Sequence, residues 1–152
     1  MIILRAKPGD SEKILHLVRE LRKLAYLEMG SPVPKQLVSP ISKKFLIKLF
    51  KRSDTYIFVA KEMKKIVGFC LAIEIPKIAD GKNRIEILEL FIDEKYRGKG
   101  IGSEFLHKIE GIAQKKGLHY VKVATGTEMK SNEFYRKNGY IHFENLYRKK
   151  VG

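Results

Sequence analysis

The chain has 152 residues, and its 31 Lys and Arg against 17 Asp and Glu leave a formal charge of +14. That length fits one domain over 1–152 with a core large enough to need no disulfide or metal staple. Its 44% hydrophobic and 32% charged residues exclude a disordered tail. No apolar run approaches the ~20 residues of a membrane-spanning helix, so no membrane partner is expected. The opening MIILRAKPGD does not read as a signal peptide. The single cysteine, Cys70, allows neither an internal disulfide nor a cysteine-based zinc site. These features predict a reducing, cytoplasmic setting. The charge predicts an anionic partner, such as nucleic acid, an anionic membrane or an anionic small molecule. It is spread over nearly every segment, as on many lysine-rich surfaces, and so does not choose among them.

In chain order, Ile2 to Ala6 reads as a short strand, followed by Pro8-Gly9-Asp10-Ser11, where Asp10 or Ser11 suits a helix N-cap. Ile14, Leu17, Val18, Leu21, Leu24 and Ala25 recur at helical spacing, predicting an amphipathic helix from 12 to about 27. Prolines 32, 34 and 40 mark a loop. Ile41, Phe45, Leu49 and Phe50 predict a second helix ending near Arg52. Three strands follow: Thr55 to Ala60, Ile66 to Ile75 after a turn at Glu62-Met63-Lys64-Lys65, and Arg84 to Ile92 after a connection holding Asp80-Gly81. Asp93 to Arg97 reads as a polar loop. Ile101, Phe105, Leu106, Ile109, Ile112 and Ala113 form a helical face with Gly117 as its stop. Leu118 to Ala124 reads as a strand, Ser131 to Lys137 as a short helix, and Tyr140 to Phe143 with Leu146 to Val151 as a closing hairpin around Glu144-Asn145. The predicted order is β-α-α-β-β-β-α-β-α-β-β, a mixed α/β sheet with helices on its faces.

The most informative stretch is Arg97-Gly98-Lys99-Gly100-Ile101-Gly102-Ser103, set between a strand and a helix. Alternating glycines let the backbone turn sharply and approach a ligand closely. A helix start offers unpaired N–H groups and a positive dipole end to phosphate. The string is neither a Walker A loop nor a complete G-x-G-x-x-G fingerprint, since Ser103 or Phe105 stands where the last glycine belongs. A glycine-rich turn without a ligand would account for the glycines alone; the basic flanks and the strand–turn–helix context favour a phosphate.

Arg97-x-x-Gly100-x-Gly102 resembles the R/Q-x-x-G-x-G/A signature of the GNAT (GCN5-related) N-acetyltransferases. The longer string from Leu90 to Gly102 resembles that family's consensus, and Phe134-Tyr135-x-x-x-Gly139-Tyr140 resembles its fYxxxGF segment. The resemblance covers essentially the whole chain. It implies the family's acyl-CoA N-acyltransferase fold, with a central, mostly antiparallel twisted sheet. It implies acetyl-CoA as the donor and a direct attack by an amine in a ternary complex. Backbone groups from Arg97 to Ser103 (Arg97, Gly98, Lys99, Gly100, Ile101, Gly102 and Ser103) would cradle the pyrophosphate, with Arg97 and Lys99 adding charge. Leu90, Phe91 and Ile92 would meet the pantetheine arm. The Leu90 N–H is the candidate to polarise the thioester carbonyl. Ser131 occupies a position where a small residue approaches the coenzyme. Glu128 stands where many members carry an asparagine, a departure that puts the contacts of the neighbouring helix in question.

Amine acetylation must remove a proton from the acceptor and supply one to the leaving thiolate. Tyr135 matches the family's tyrosine near the coenzyme sulfur and is the candidate general acid, although a half-buried tyrosine packing helix on sheet would look the same. Glu86, and second to it Glu89, are candidate bases. Their odd separation puts them on opposite faces of a regular strand unless a bulge intervenes; water alone is the remaining option. His16, His107, His119 and His142 form no metal-binding spacing, so no metal is expected. Cys70 reads as buried packing.

The acceptor site is expected from the loop Leu27 to Pro40, the second helix and the closing hairpin. Ile66-Val67-Gly68-Phe69 and Gly100-Ile101-Gly102-Ser103-Glu104 look somewhat like diamine acetyltransferases. Glu28 is nevertheless the only acidic residue from Leu27 to Arg52, which disfavours a polycation. A protein N-terminus, a lysine of an acidic partner, or a small amine stays open, and dimers are common in the family, so a homodimer is among the expected assemblies. The competing class is a basic nucleic-acid-binding or regulatory module that retains a coenzyme pocket, with Tyr56, Phe58 and Phe69 as a stacking platform; core packing explains those aromatics equally well.

Overall fold

The computed structural model describes residues 1–36, 41–76, 83–127, 129–149 and 151–152. Its elements are β1 (Ile2–Arg5), α1 (Ser11–Glu28), α2 (Lys43–Phe50), β2 (Thr55–Glu62), β3 (Lys65–Ile75), β4 (Arg84–Ile92), α3 (Ile101–Lys115), β5 (Tyr120–Val123) and α4 (Ser131–Lys137). Two 3-10 turns, Pro8–Asp10 and Glu94–Tyr96, add to the predicted set. The strands form one sheet in the order β1-β2-β3-β4-β5, antiparallel up to β4, with β5 parallel to β4.

Alternation along the strands sorts the core onto two faces. Ile57, Val59, Phe69, Leu71 and Phe91 meet Ile14, Leu17 and Val18 of α1 and Leu46 and Leu49 of α2. Tyr56, Ala60, Cys70, Ala72, Ile85, Ile87 and Ile92 meet Phe105, Leu106 and Ile109 of α3 together with Tyr135 of α4. The aromatics Tyr56, Phe58 and Phe69 are therefore divided between the two covered faces rather than forming an open platform. At the far end of α3, Lys116 Nζ lies 2.6 Å from Glu74 Oε2 and 3.1 Å from the Tyr56 hydroxyl, tying helix to sheet.

One expectation is refined and one is corrected. Asp10 stands at the N-cap of α1, as its position in the sequence suggests, but its side chain does not cap the helix. Asp10 instead accepts from the Lys7 N–H at 2.9 Å and pairs with Lys61 at 2.9 Å, while the Ser11 hydroxyl donates to the Pro8 carbonyl. The closing hairpin does not form: no strand occurs in 140–149, and Ile141, Phe143, Leu146 and Tyr147 are exposed. Apolar sequence makes a strand only where a surface receives it; the segment touches β5 through Lys122, which pairs with Glu144 and lies over the Phe143 ring, but among the described residues no strand follows β5 in the sheet. Residues 37–40, part of the predicted acceptor loop, and the Asp80-Gly81 connection lie outside the described residues.

Gly68 on β3 faces Ile92 on β4, and a Cβ there would sit 2.7 Å from Ile92 Cδ1 and 2.9 Å from the Phe91 carbonyl. Gly111, inside α3, has open space around that position. Gly68→Ala is therefore expected to destabilise the fold by about 1–3 kcal/mol through overpacking, and Gly111→Ala to stabilise it by about 1 kcal/mol through helix propensity. Urea denaturation of the two variants checks both signs.

Candidate functional site

The site begins with a bulge. The β3–β4 register runs Leu71↔Glu89 and then Ala72↔Ile87, leaving Leu88 as an extra residue on β4. β5 pairs with β4 only from Arg84 to Ile87. Past the bulge the two strands part, and Leu88–Ile92 face Val123–Gly126 across a cleft of ≈ 730 Å³.

Backbone direction in this half of β4 follows from one hydrogen bond. The Asp93 N–H donates to the Val67 carbonyl of β3 at 2.8 Å. Because successive peptide groups of a strand alternate in direction, the polar groups of Phe91 also point to β3, and those of Leu90 and Ile92 point into the cleft. One of them is occupied: the Ile92 carbonyl accepts from Arg97 Nε at 3.0 Å. The Leu90 N–H and C=O and the Ile92 N–H are left facing the space that β5 has vacated.

The glycine-rich turn closes one end of the cleft. Gly98 (φ +73°) and Gly100 (φ +78°) adopt the left-handed conformation, which side-chain-bearing residues enter at a cost of ~1–2 kcal/mol. Gly100 is the N-cap of α3 and offers no side-chain cap, so the first amides of that helix remain available to an anion. Gly102 makes a close approach of another kind: a Cβ there would lie 2.9 Å from Phe134 Cζ, so α4 can rest directly on the start of α3. The Arg97 guanidinium lies 5.4 Å from the Phe91 ring centre. It is thus fixed at the cleft floor by both its hydrogen bond and its stacking.

Leu90, Phe91, Ile92, Arg97, Gly98, Gly100, Ile101, Gly102, Ser103, Ser131 and Tyr135 all line this one cleft, as does Glu89. Two predicted residues stand apart from the wall. Lys99 places its Nζ 5.1 Å from the Tyr96 ring centre, and Glu86 lies 3.9 Å from Arg84 Nε. The bulge removes the opposition of faces expected for Glu86 and Glu89. Ile85 and Ile87 face α3 before it and Ile92 does so after it, so both glutamates point to the α1 side. Glu128 lies outside the described residues. Asn132 is occupied in holding its own loop, donating to the carbonyls of Gly126, Thr127 and Met129.

Burial biases the titratable groups here toward their neutral forms. Desolvation, with the charges of Cys70 and Glu89 added, holds the Tyr135 phenol well above its ordinary range. Burial pushes the Cys70 thiol up to about 12, which leaves it inert. Glu89 is raised by burial and pulled partly back by the positive charge of Arg22 on α1. Arg22 was missed in the sequence, where a charged residue on an amphipathic helix reads as solvated. It lines the cleft, and its Nε is buried without a hydrogen-bond partner. Among the described residues no group of three or more His, Cys, Asp and Glu side chains could hold a metal, and no helix is long and apolar enough to cross a membrane.

Comparison with known proteins agrees with this layout. Residues 15–140 match the profile of the Acetyltransferase (GNAT) family. An uncharacterized N-acetyltransferase of Methanocaldococcus jannaschii is 36% identical over 95 residues, covering 60% of this chain and 42% of that protein, so the chain spans less than half the length of this relative. A putative acetyltransferase from Agrobacterium tumefaciens has the same fold at 20% identity, with a TM-score of 0.80 over 99% of this chain and 100% of that one. An aminoglycoside acetyltransferase from an uncultured soil sample has it at 22% identity, with a TM-score of 0.75 over 99% and 95%. A parted β4–β5 edge, a glycine turn at the start of α3 and a profile match over most of the chain place this protein in the GNAT acetyltransferase family.

Proposed function

We propose that the protein transfers an acetyl group from acetyl-CoA to a primary amine by direct attack. The observation that carries this reading is the continuity of two features. The cleft-facing backbone of Leu90 and Ile92 runs into the uncapped start of α3 at Gly100. An amide-bearing arm fits the first and a pyrophosphate fits the second. The amides of Ile101, Gly102 and Ser103 would hold the phosphates, with Gly98 and Gly100 supplying the turn and Ser131 a small cleft-side contact. Arg97 and Lys99 would add positive charge, Lys99 by swinging off the Tyr96 ring. The coenzyme supplies the activated acetyl group.

The remaining steps belong to the chain. The Leu90 N–H would donate to the acetyl carbonyl oxygen as charge develops on it, inside a desolvated cleft where such a bond gains strength. Tyr135, kept neutral by burial, would donate to the departing sulfur. Its phenol is ordinarily less acidic than a thiol, and burial widens that gap, so its contribution is a hydrogen bond that steadies the thiolate rather than an early proton transfer. Glu89, in the cleft wall and raised by burial, is better placed than Glu86 to take the acceptor's proton, directly or through water. The acceptor would enter from the α1 side, where Glu89 and Arg22 meet the cleft.

Three measurements follow. Gly100→Glu puts a carboxylate into the phosphate end and is expected to abolish acetyl-CoA binding by calorimetry; unchanged affinity would contradict the site. Tyr135→Phe is expected to lower kcat by about tenfold or more with little change in coenzyme affinity, and an unaltered kcat would remove its role. For Glu89 the sign is fixed by its raised value. Folded protein binds that proton more tightly than unfolded protein does, so the residue costs stability as pH rises through its window. Glu89→Gln should therefore gain stability over the wild type as pH rises above the ordinary glutamate range, while losing the ascending limb of kcat/KM against pH. Loss of that limb in Glu86→Gln instead would reassign the base.

A further inference from the structure

On the α1 side of the cleft, a cation reaches the wall with its hydrogen-bonding capacity unspent. Arg22 Nε is buried without a partner, and no hydrogen bond or ion pair engages the rest of the guanidinium among the described residues. A buried donor left unsatisfied is costly, and folded proteins rarely keep one without a use. The carboxylates nearest in the site do not relieve it. Glu89 acts on it only at a distance, without an ion pair within 4.0 Å. Glu28, farther along α1, accepts from the Lys130 N–H at 3.4 Å. The cleft lining thus holds a planar five-donor guanidinium together with Glu89, and the group that matches such a fork is a carboxylate.

Resting on the acetyltransferase reading above, we propose that the acceptor is an amine that also carries a carboxylate, which Arg22 binds while Glu89 receives the amine. The carboxylate answers the unpartnered fork and orients the nucleophile between α1 and β4. The same chemistry exists in a free amino acid and in a peptide whose N-terminal residue is acidic.

The test uses the full chain, acetyl-CoA and thiol release, with probes matched in all but the carboxylate. L-methionine is compared with L-methioninamide and L-glutamate with L-glutamate α-amide for the free source, and the amidated tripeptides Asp-Ala-Ala and Asn-Ala-Ala for the peptide source. The wild type is expected to favour the carboxylate member of at least one set in kcat/KM by about tenfold or more, mainly through KM. Arg22→Gln should remove that ratio and Arg22→Lys should keep part of it, with thermal melts confirming that both variants fold. A ratio near one in every set, or an undiminished ratio in Arg22→Gln, overturns the carboxylate assignment and leaves the acetyltransferase reading intact. Failure of the wild type to bind acetyl-CoA overturns that reading and this assignment together.

Discussion

The extra residue at Leu88 is the constraint on which the site depends. Without it β4 would continue its ladder with β5, its outward amides would be spent on that strand, and no cleft would exist. With it, three things change together. The strand bends away from β5 after Ile87. The parity of the side chains shifts, so Glu89 joins the α1 face while Leu90 and Ile92 are brought to the α3 face. The backbone polar groups of Leu90 and Ile92 are turned toward open space. Bulges re-aim a strand at small cost, and here the β3 side of the ladder continues through Gly68↔Ile92, so the bend is held from one side only. Gly68 makes that support possible, because any side chain there would push against Ile92 and the Phe91 carbonyl.

The second end of the site depends on backbone of a different kind. Two left-handed glycines bring the chain from β4 into α3 with no side chain over the helix start. Arg97 locks the turn to the strand by donating to the Ile92 carbonyl. One residue thereby engages the Ile92 carbonyl, an acceptor that would repel a phosphate, and leaves its charge nearby. α4 rests on Gly102 through Phe134, and Phe134 meets Tyr135 edge-on at 5.0 Å. The position of the phenol is therefore set by the same glycine run that shapes the phosphate end.

Much of this was legible in the sequence, because period and punctuation agree there. The face Ile101, Phe105, Leu106, Ile109 and Ala113 is buried as its spacing requires, and β2, β3 and β4 lie where β-branched runs end at turn residues. The glycine string located one end of the cleft from chemistry alone. The bulge was only half legible: in RIEILELFI the alternation breaks at Ile87-Leu88 and the odd separation of Glu86 and Glu89 admits a bulge, but the string alone does not choose between a bulge and two opposite faces. Arg22 was not legible, since a charge on an amphipathic helix discloses nothing until its neighbours are known. The segment after Tyr140 misled for the opposite reason. Its apolar residues carry strand propensity, but propensity measures fit to a half-buried surface, and here Ile141, Phe143, Leu146 and Tyr147 stay exposed.

The electrostatics of the cleft join these parts. Burial holds Tyr135, Cys70 and Glu89 toward their protonated forms, and the Arg22 charge is the influence that draws Glu89 back toward ionisation. Burial is the larger influence and leaves Glu89 raised, and the Arg22 charge limits how strong a base it becomes. An acceptor carboxylate on Arg22 would neutralise that pull and add negative charge beside Glu89, raising its basicity at the moment the amine is in place. In the proposed reaction, recognition of the acceptor and activation of the base would then be one electrostatic event. An amine lacking the carboxylate would lose both orientation and base strength, a form of selectivity that costs the apo protein only the unsatisfied fork of Arg22.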